Sequence, residues 1–351
     1  AILDEAQYIK NWATTTAKSA KQLKADHRLA LSGTPVENHL IDLWAIFDFL
    51  APGFLGKLSD FQKNYVRPIE DHDLKTLEAL RARIRPFVMR RKKEDVASEL
   101  PPKTEQTLFV QFGKSQLGLY NRILKAAKAE IQGRVEEVGL EKSQMTILAA
   151  LTRLRQVCCD PRLLGLPDAS ALPPSAKLDA FKELMADAVG SGRKVLVFSQ
   201  FVEMQKLLGD ALNELKIDFL WLHGGTKNRE EMVSQFQSKS GPPVFLISLK
   251  AGGSGLTLTE ADTVVHFDPW WNPAVEDQAT DRAHRIGQDK PVMVYRLVVE
   301  DTVEQKMVEL GARKREVAES ALGRDVTAGK KLTMEDVEAL LETPATAAWE
   351  A

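Results

Sequence analysis

Val195-Leu196-Val197-Phe198 is a short apolar run of the kind that forms a buried strand, entered from Gly190-Ser191-Gly192 and followed by a helical pattern. The same alternation continues downstream. Phe219-Leu220-Trp221-Leu222 leads into His223-Gly224-Gly225 and another helix. Val244–Ser248 runs into Gly252-Gly253-Ser254-Gly255, Thr263–Phe267 precedes a further helix, and Val292–Leu297 closes the series. Short apolar strands alternating with helices predict an α/β fold built on a parallel sheet.

Upstream the pattern thins. Ala1–Leu3 reads as a strand end, residues 12–25 as a helix, and Arg28–Leu31 as a strand halted by Ser32-Gly33-Thr34-Pro35. Ile41, Leu43, Trp44, Ile46, Phe47 and Leu50 fall at helical spacing, and Ala51-Pro52-Gly53 stops them. Residues 55–100 are helical and irregular, and they carry the densest basic cluster. Pro101-Pro102 breaks the chain, Thr104–Phe112 alternates as a strand, and 115–157 form long helical patterns. The stretch 165–175, with Gly165, Pro167, Pro173, Pro174 and Ser175, is the best linker candidate. Residues 302–345 read as a charged helical brace.

Composition sets the outer limits. A chain of 351 residues calls for two or three domains at roughly 100–200 residues each. Hydrophobic residues at 44% supply enough apolar material for cores, which excludes disorder of the whole chain. A formal net charge of −2 excludes a wholly basic nucleic-acid coat protein but not a local basic patch. No run of about 18 apolar residues occurs, so no membrane span is expected. Cys158 and Cys159 are adjacent; neighbours rarely close a strain-free bridge, and they fit no zinc spacing. They are expected to be small buried hydrophobes in a reducing, intracellular setting. Residues 1–15 lack a secretory signal, and the start at Ala1-Ile2-Leu3 without Met reads as a chain cut into a strand.

Three stretches carry chemistry. Asp4-Glu5 ends the first strand, and ligands of open parallel sheets gather at carboxyl ends of strands. Adjacent acids there suit a metal–phosphate site, one holding Mg²⁺ and the other orienting or deprotonating a water. Alone, such a pair is more often a solvated acidic turn. Lys250–Leu256 is Gly-rich but matches neither a dinucleotide fingerprint, since position 258 is Leu, nor a phosphate loop. It is a turn whose backbone approaches something closely, or a tight turn with no ligand. In Trp270–Gln288, Asn272 can cap a helix with Pro273 at its first position, and Gly287 can end it. Gln278, Arg282 and Arg285 then share one face, and two guanidinium forks suit a phosphate chain whose charge grows in the transition state. Pairing with Asp277 and Asp281 is the alternative. The basic cluster 81–93 could meet nucleic-acid phosphates, although a charge run is more often a solvated face. His223 and the Trp270-Trp271 pair read first as turn or packing residues.

Together these pieces occur in one order: Asp4-Glu5-Ala6-Gln7-Tyr8-Ile9-Lys10-Asn11, Leu31–Pro35, Ile84–Arg91, Val195–Gln200, Ser248–Leu258 and Phe267–Gln288. The chain resembles the SWI/SNF-type ATPases of helicase superfamily two from residue 1 to about 310. That resemblance implies RecA-like parallel-sheet lobes, lobe one incomplete and lobe two complete, with helical insertions. ATP, with Mg²⁺, would be hydrolysed between them to drive tracking along double-stranded DNA. The implied division is 1–54 for the end of lobe one, 55–102 for a first protrusion and 103–113 for a strand returning to lobe one. Residues 114–170 would be a second protrusion and linker, 171–310 lobe two, and 311–351 a brace helix and tail.

By resemblance, Asp4 is the Mg²⁺ ligand and Glu5 the water-activating base. Ser32, Gly33 and Thr34 couple nucleotide state to movement, Gly255 and Gln278 lie near the nucleotide, and Arg282 and Arg285 are the arginine fingers. Ser199, Gln200, Lys250, Gly252 and Gly253 contact the DNA backbone. What is displaced could be a polymerase, a nucleoprotein or another bound protein. The short insertions point to a bacterial relative, cytoplasmic and nucleoid-associated; a eukaryotic one would be nuclear.

Two positions depart from the family pattern: Gln7 stands where many relatives carry His, and Thr257 where Asn is frequent. Neither is expected to touch the acids or the arginines. No G-x-x-x-x-G-K-[ST] occurs, so the phosphate loop is expected upstream of Ala1 and this chain alone is expected to hydrolyse ATP poorly. The competing readings are a DNA- or partner-binding module without turnover, and a strand-separating helicase.

Overall fold

The computed structural model describes residues 1–32, 40–71, 73–89, 91, 93–97, 99–165, 175–252, 255–322 and 334–342. The chain divides into two compact units, Ala1–Val96 with Ala312–Leu332, and Ala97–Gly311 with Thr333–Ala351.

In the first unit, β1 (Ile2–Leu3) pairs in parallel with β2 (Leu29–Ala30), in the register Ile2↔Leu29 and Leu3↔Ala30. The helix Thr15–Gln22 joins them. Thr14 caps it by accepting from the Ala17 amide at 3.2 Å, as an N-cap threonine should. Ala17 and Ala20 are the small residues on its buried face, packed with Ile9 and Phe49. The helix Leu40–Leu50 is apolar on most sides and correspondingly buried, because the helix Leu74–Ile84 and Phe61 cover it. Leu43, Trp44, Phe47, Leu77 and Leu80 form that core.

The second unit is a six-stranded, all-parallel sheet in the order β3-β8-β7-β4-β6-β5. The strands are β3 (Lys103–Val110), β4 (Val195–Ser199), β5 (Phe219–Leu222), β6 (Val244–Ser248), β7 (Thr263–His266) and β8 (Val292–Val299). Every residue of β4, β6 and β7 is buried. Their continuous apolar runs follow from coverage of both faces. The period of two sorts the side chains. Val195 and Val197 pack with Phe181, Met185, Met204 and Leu208 on one face. Leu196 and Phe198 pack with Phe236, Leu258, Ala279 and Ala283 on the other. Each of the Val, Leu, Phe and Met side chains among these contributes about 1.5–3 kcal/mol by leaving water.

The strand predicted at 104–112 forms, but not where the resemblance assigns it. Over eight residues, from Lys103↔Val292 to Val110↔Val299, β3 pairs with β8 and so belongs to the second unit's sheet, not to lobe one. Arg296 on β8 fixes that register through an ion pair with Glu105 on β3 at 2.8 Å. Alternating sequence reports a strand but not its partner, which lies 189 residues away. The helices Lys114–Val138 and Leu140–Cys159 follow, separated by Gly139 at φ +79°, a conformation that suits glycine. Cys158 and Cys159 are fully buried, and burial raises both thiol pKa values, in line with a packing role. Among the described residues, no helix is long and apolar enough to cross a membrane.

Strand order reverses around β4, with β6 on one side and β7 on the other. The carboxyl ends of these three strands hold Ser199-Gln200, the Gly-rich turn and Phe267–Trp271. Ligands of open α/β sheets bind at such a switch point.

Candidate functional site

The acid pair sits where β1 ends. Glu5 adopts φ +50°, so the chain turns sharply after Asp4 into the turn Ala6–Ile9. The Asp4 Oδ1 accepts from the Glu5 amide at 2.9 Å, and the Ala6 amide donates to the Leu31 carbonyl at 2.8 Å. Gln7 Nε2 donates to Glu5 Oε2 at 2.6 Å, while Ser32 Oγ donates to Gln7 Oε1 at 2.8 Å. One amide side chain thus joins the acid motif to the first residue of Ser32-Gly33-Thr34. Gly33 and Thr34 lie outside the described residues. Among the described residues no three His, Cys, Asp or Glu side chains converge. The exposed Asp4 carboxylate fits a Mg²⁺ that keeps its waters and takes its remaining ligands from phosphates.

At the other strand ends, the helical turn Leu249–Gly252 carries the backbone of Lys250 and Gly252. Gly253 and the Lys250 side chain lie outside the described residues. Gly255 has φ +48° and is exposed, and nothing lies within 4 Å of where a Cβ would be. Its requirement for glycine is therefore conformational rather than steric.

Asn272 caps the next helix as expected, its Oδ1 accepting from the Ala274 amide at 3.1 Å with Pro273 at the first position. That helix, Pro273–Thr280, is shorter than the sequence suggests. Gln278, half-buried, is on it; Arg282 and Arg285 are not, so the three do not share a helix face. The reason is that later carbonyls are spent elsewhere. The Arg282 carbonyl accepts from the Leu258 amide at 2.9 Å, and the Ala283 carbonyl from Gln288 Nε2 at 3.1 Å. Residues 281–287 become turns ending at Gly287, φ +101°. Both arginines nevertheless meet the segment after the Gly-rich turn. Arg285 Nη1 donates to the Leu256 carbonyl at 3.3 Å and to Thr257 Oγ1 at 3.0 Å. Arg282 is 7% exposed.

The end of β4 is less open than expected. Ser199 is fully buried; its hydroxyl accepts from the Phe201 amide at 3.2 Å and bonds Asp268. It is therefore placed as a packing residue rather than a direct DNA contact. Gln200 is half-buried, with Asp268 accepting from its amide and Arg155 Nη1 donating to its Oε1 at 3.0 Å.

Residues 1–163 match the SNF2-related domain, and residues 176–287 the helicase conserved C-terminal domain. The Sulfolobus solfataricus SWI2/SNF2 ATPase core, solved in complex with dsDNA, matches at 34% identity with a TM-score of 0.56, covering 98% of this chain and 73% of that one. This chain belongs to the SWI/SNF-type family of ATP-dependent helicases. YwqA of Bacillus subtilis, which bears the name ATP-dependent helicase/translocase, is 41% identical over 313 residues, 87% of this chain and 33% of that protein. Human SWI/SNF-related matrix-associated actin-dependent regulator of chromatin subfamily A member 1 is 36% identical over 319 residues, 88% of this chain and 30% of that protein. The SWI/SNF-type chain described here spans about a third of the length of these curated relatives. Its parallel-stranded α/β architecture is that of the RecA-like ATPase core.

In this SWI/SNF-type chain the two departures from the family pattern do touch an acid and an arginine, against expectation. Gln7 holds Glu5, and Thr257 holds Arg285. Three further residues had no role in the sequence reading. Gln288 is 6% exposed; its Nε2 donates to the carbonyls of Thr259, Ala261 and Ala283. Glu276 accepts from the Trp270 amide at 2.7 Å and from Arg296 Nε at 2.8 Å. Arg155 lies one turn after Leu151 and next to Leu154, both buried, a position where an unexplained arginine is itself a signal.

Proposed function

We propose that the complete polypeptide is an ATP-driven translocase on double-stranded DNA, displacing or remodelling protein bound there. Asp4 holds the Mg²⁺ that accompanies ATP, an ion that neutralises phosphate charge when bound. Glu5 orients and deprotonates the attacking water. Arg282 and Arg285 stabilise the charge that grows on the transferred phosphoryl, and Gly255 and Gln278 line the nucleotide. Ser32, with Gly33 and Thr34, transmits the nucleotide state, and Gln200, Lys250, Gly252 and Gly253 touch the DNA backbone.

The observation that carries the reading is the Glu5–Gln7–Ser32 chain, at 2.6 and 2.8 Å. A carboxylate whose orientation depends on the next motif is suited to reporting hydrolysis as movement. The dsDNA-bound Sulfolobus core supports the choice of track. The 351-residue chain alone is expected to turn over poorly, because its sequence holds no phosphate loop.

The test uses the full-length polypeptide with ATP and two DNA substrates. A third strand annealed in the major groove should be displaced while a labelled strand of a plain duplex stays paired. Displacement of the duplex strand would replace this reading with a strand-separating helicase.

A further inference from the structure

Arg155 is a charge in an unusual place. It is 2% exposed, on the helix Leu140–Cys159, apart from the chemistry-bearing stretches singled out in the sequence. Its guanidinium reaches two of the three strand ends at the switch point. Nη1 donates to Gln200 Oε1 at 3.0 Å, just after β4. Nη2 donates to the Pro269 carbonyl at 2.5 Å, just after β7, and stands 3.5 Å from Asp268 Oδ2. The rings of Phe201, Trp270 and Trp271 surround it at 5.7, 5.9 and 5.9 Å from centroid to guanidinium carbon. Asp268 is completely buried and also receives the Gln200 amide.

Burying a guanidinium is costly unless it is paired and hydrogen-bonded. A well-packed apolar residue would hold a helix to a sheet more simply. What a planar fork adds is two fixed directions at once. One prong holds the Gln200 side chain, proposed above to meet DNA. The other holds the carbonyl one residue before Trp270, whose amide is bound by Glu276 in the helix that carries Gln278. The tie is also incomplete among the described residues, since Arg155 Nε and Gln200 Nε2 are buried without a hydrogen-bond partner. A network with spare donors can exchange partners when Gln200 moves.

We infer that Arg155 is a positioning residue that transmits DNA engagement at Gln200 to the Asp268–Trp271 segment, and through it to the nucleotide-facing helix Pro273–Thr280. This role rests on the DNA-dependent ATPase reading proposed above.

The experiment measures ATP turnover of the full-length polypeptide with and without saturating duplex DNA, for wild type and Arg155→Lys. Lysine keeps the charge beside Asp268 and loses the fork. The expected result is a DNA-stimulated kcat lower by about 10- to 100-fold, with the DNA-free rate falling much less and duplex affinity shifting by less than about threefold. Gln200→Ala added to Arg155→Lys should cost almost nothing more, since both break one path. Should Arg155→Lys fail to fold by circular dichroism, Arg155→Met with Asp268→Asn removes both charges together and leaves neither alone. The same loss of stimulation is expected from it. Stimulation retained within about twofold in whichever variant folds, or an additive effect of Gln200→Ala, would overturn the role. Absence of stimulation in wild type would overturn the motor reading itself, and this role with it.

Discussion

At the acid end, β1 and β2 pair over two residues each, Glu5 takes φ +50°, and Gln7 Nε2 donates to Glu5 Oε2 at 2.6 Å. At the arginine end, three fully buried strands, two apolar cores and the Gln288, Glu276 and Arg155 networks hold the loops. The two ends carry complementary halves of one proposed chemistry, yet their positions are secured in different ways. Local backbone strain at Glu5 and one hydrogen-bonded relay aim the acid. Long-range burial aims the arginines. Groups proposed to act on one phosphoryl can thus be fixed either by a short polar chain or by a deep core, and the two should fail differently when disturbed.

The largest expected effect treats the ends alike. In the full-length polypeptide, Glu5→Gln, Arg282→Ala and Arg285→Ala should each lower DNA-stimulated kcat by about 10³-fold or more. If both ends act on one phosphoryl, Glu5→Gln combined with Arg285→Ala should be hardly slower than the worse single variant. Phosphate release under single-turnover conditions reads this. Multiplicative losses would break the pairing of the two regions.

The next separates them by stability. Lys177 and Glu304 form a fully buried ion pair, with Nζ at 2.8 and 2.6 Å from the two carboxylate oxygens. Burial pulls the Lys177 ammonium down, and the Glu304 carboxylate more than offsets it, so its pKa lies above the usual range. Glu304→Gln leaves that charge alone and should cost about 3–5 kcal/mol by urea denaturation. In the first unit, Lys21–Asp48 is partly exposed, and Asp48→Asn should cost less than about 1 kcal/mol.

A pH scan sharpens the same contrast. His266 is fully buried, bonded through Nε2 to Thr280 Oγ1 at 3.0 Å, and its pKa is pushed down to about 4, mainly by burial, with Glu276 pulling the other way. The unfolded chain takes up a proton near pH 6.5 and the folded one only near 4. Stability is therefore whole above about pH 6.5 and is lost as pH falls toward 4, by on the order of 3 kcal/mol. His266→Gln should flatten that dependence between pH 7 and 5. An unchanged slope would remove His266 as its source.

Much of the second unit was legible because β4, β6 and β7 are buried on both faces, which forces near-continuous apolar runs. Asn272 and Pro273 were legible because capping is local. The partner of β3 was not, since parallel pairing depends on residues far along the chain. The early end of the helix at Thr280 was hidden for a related reason. Gln288 and Leu258, outside the helix, claim the carbonyls that would have prolonged it. Ser199 is a DNA contact only by resemblance, and its full burial and its hydrogen bond to Asp268 come from residues far along the chain.

The smallest effects concern Gln7 and Thr257. Gln7→Ala and Thr257→Ala each remove one hydrogen bond to Glu5 or Arg285, the side chains proposed to be catalytic, and should lower kcat about tenfold, with the KM for ATP little changed. Gln7→His, the residue the family resemblance leads one to expect there, should restore most of the rate if the bridge to Ser32 is what counts.

We propose that the acids of the first unit and the arginines of the second serve one DNA-driven hydrolysis. Its most direct measurement is steady-state ATP hydrolysis by the full-length polypeptide as duplex DNA is titrated in, beside Glu5→Gln and Arg285→Ala. Strong stimulation is expected in wild type and near silence in both variants at every DNA concentration. Turnover that ignores DNA, or that survives loss of Arg285, would contradict it.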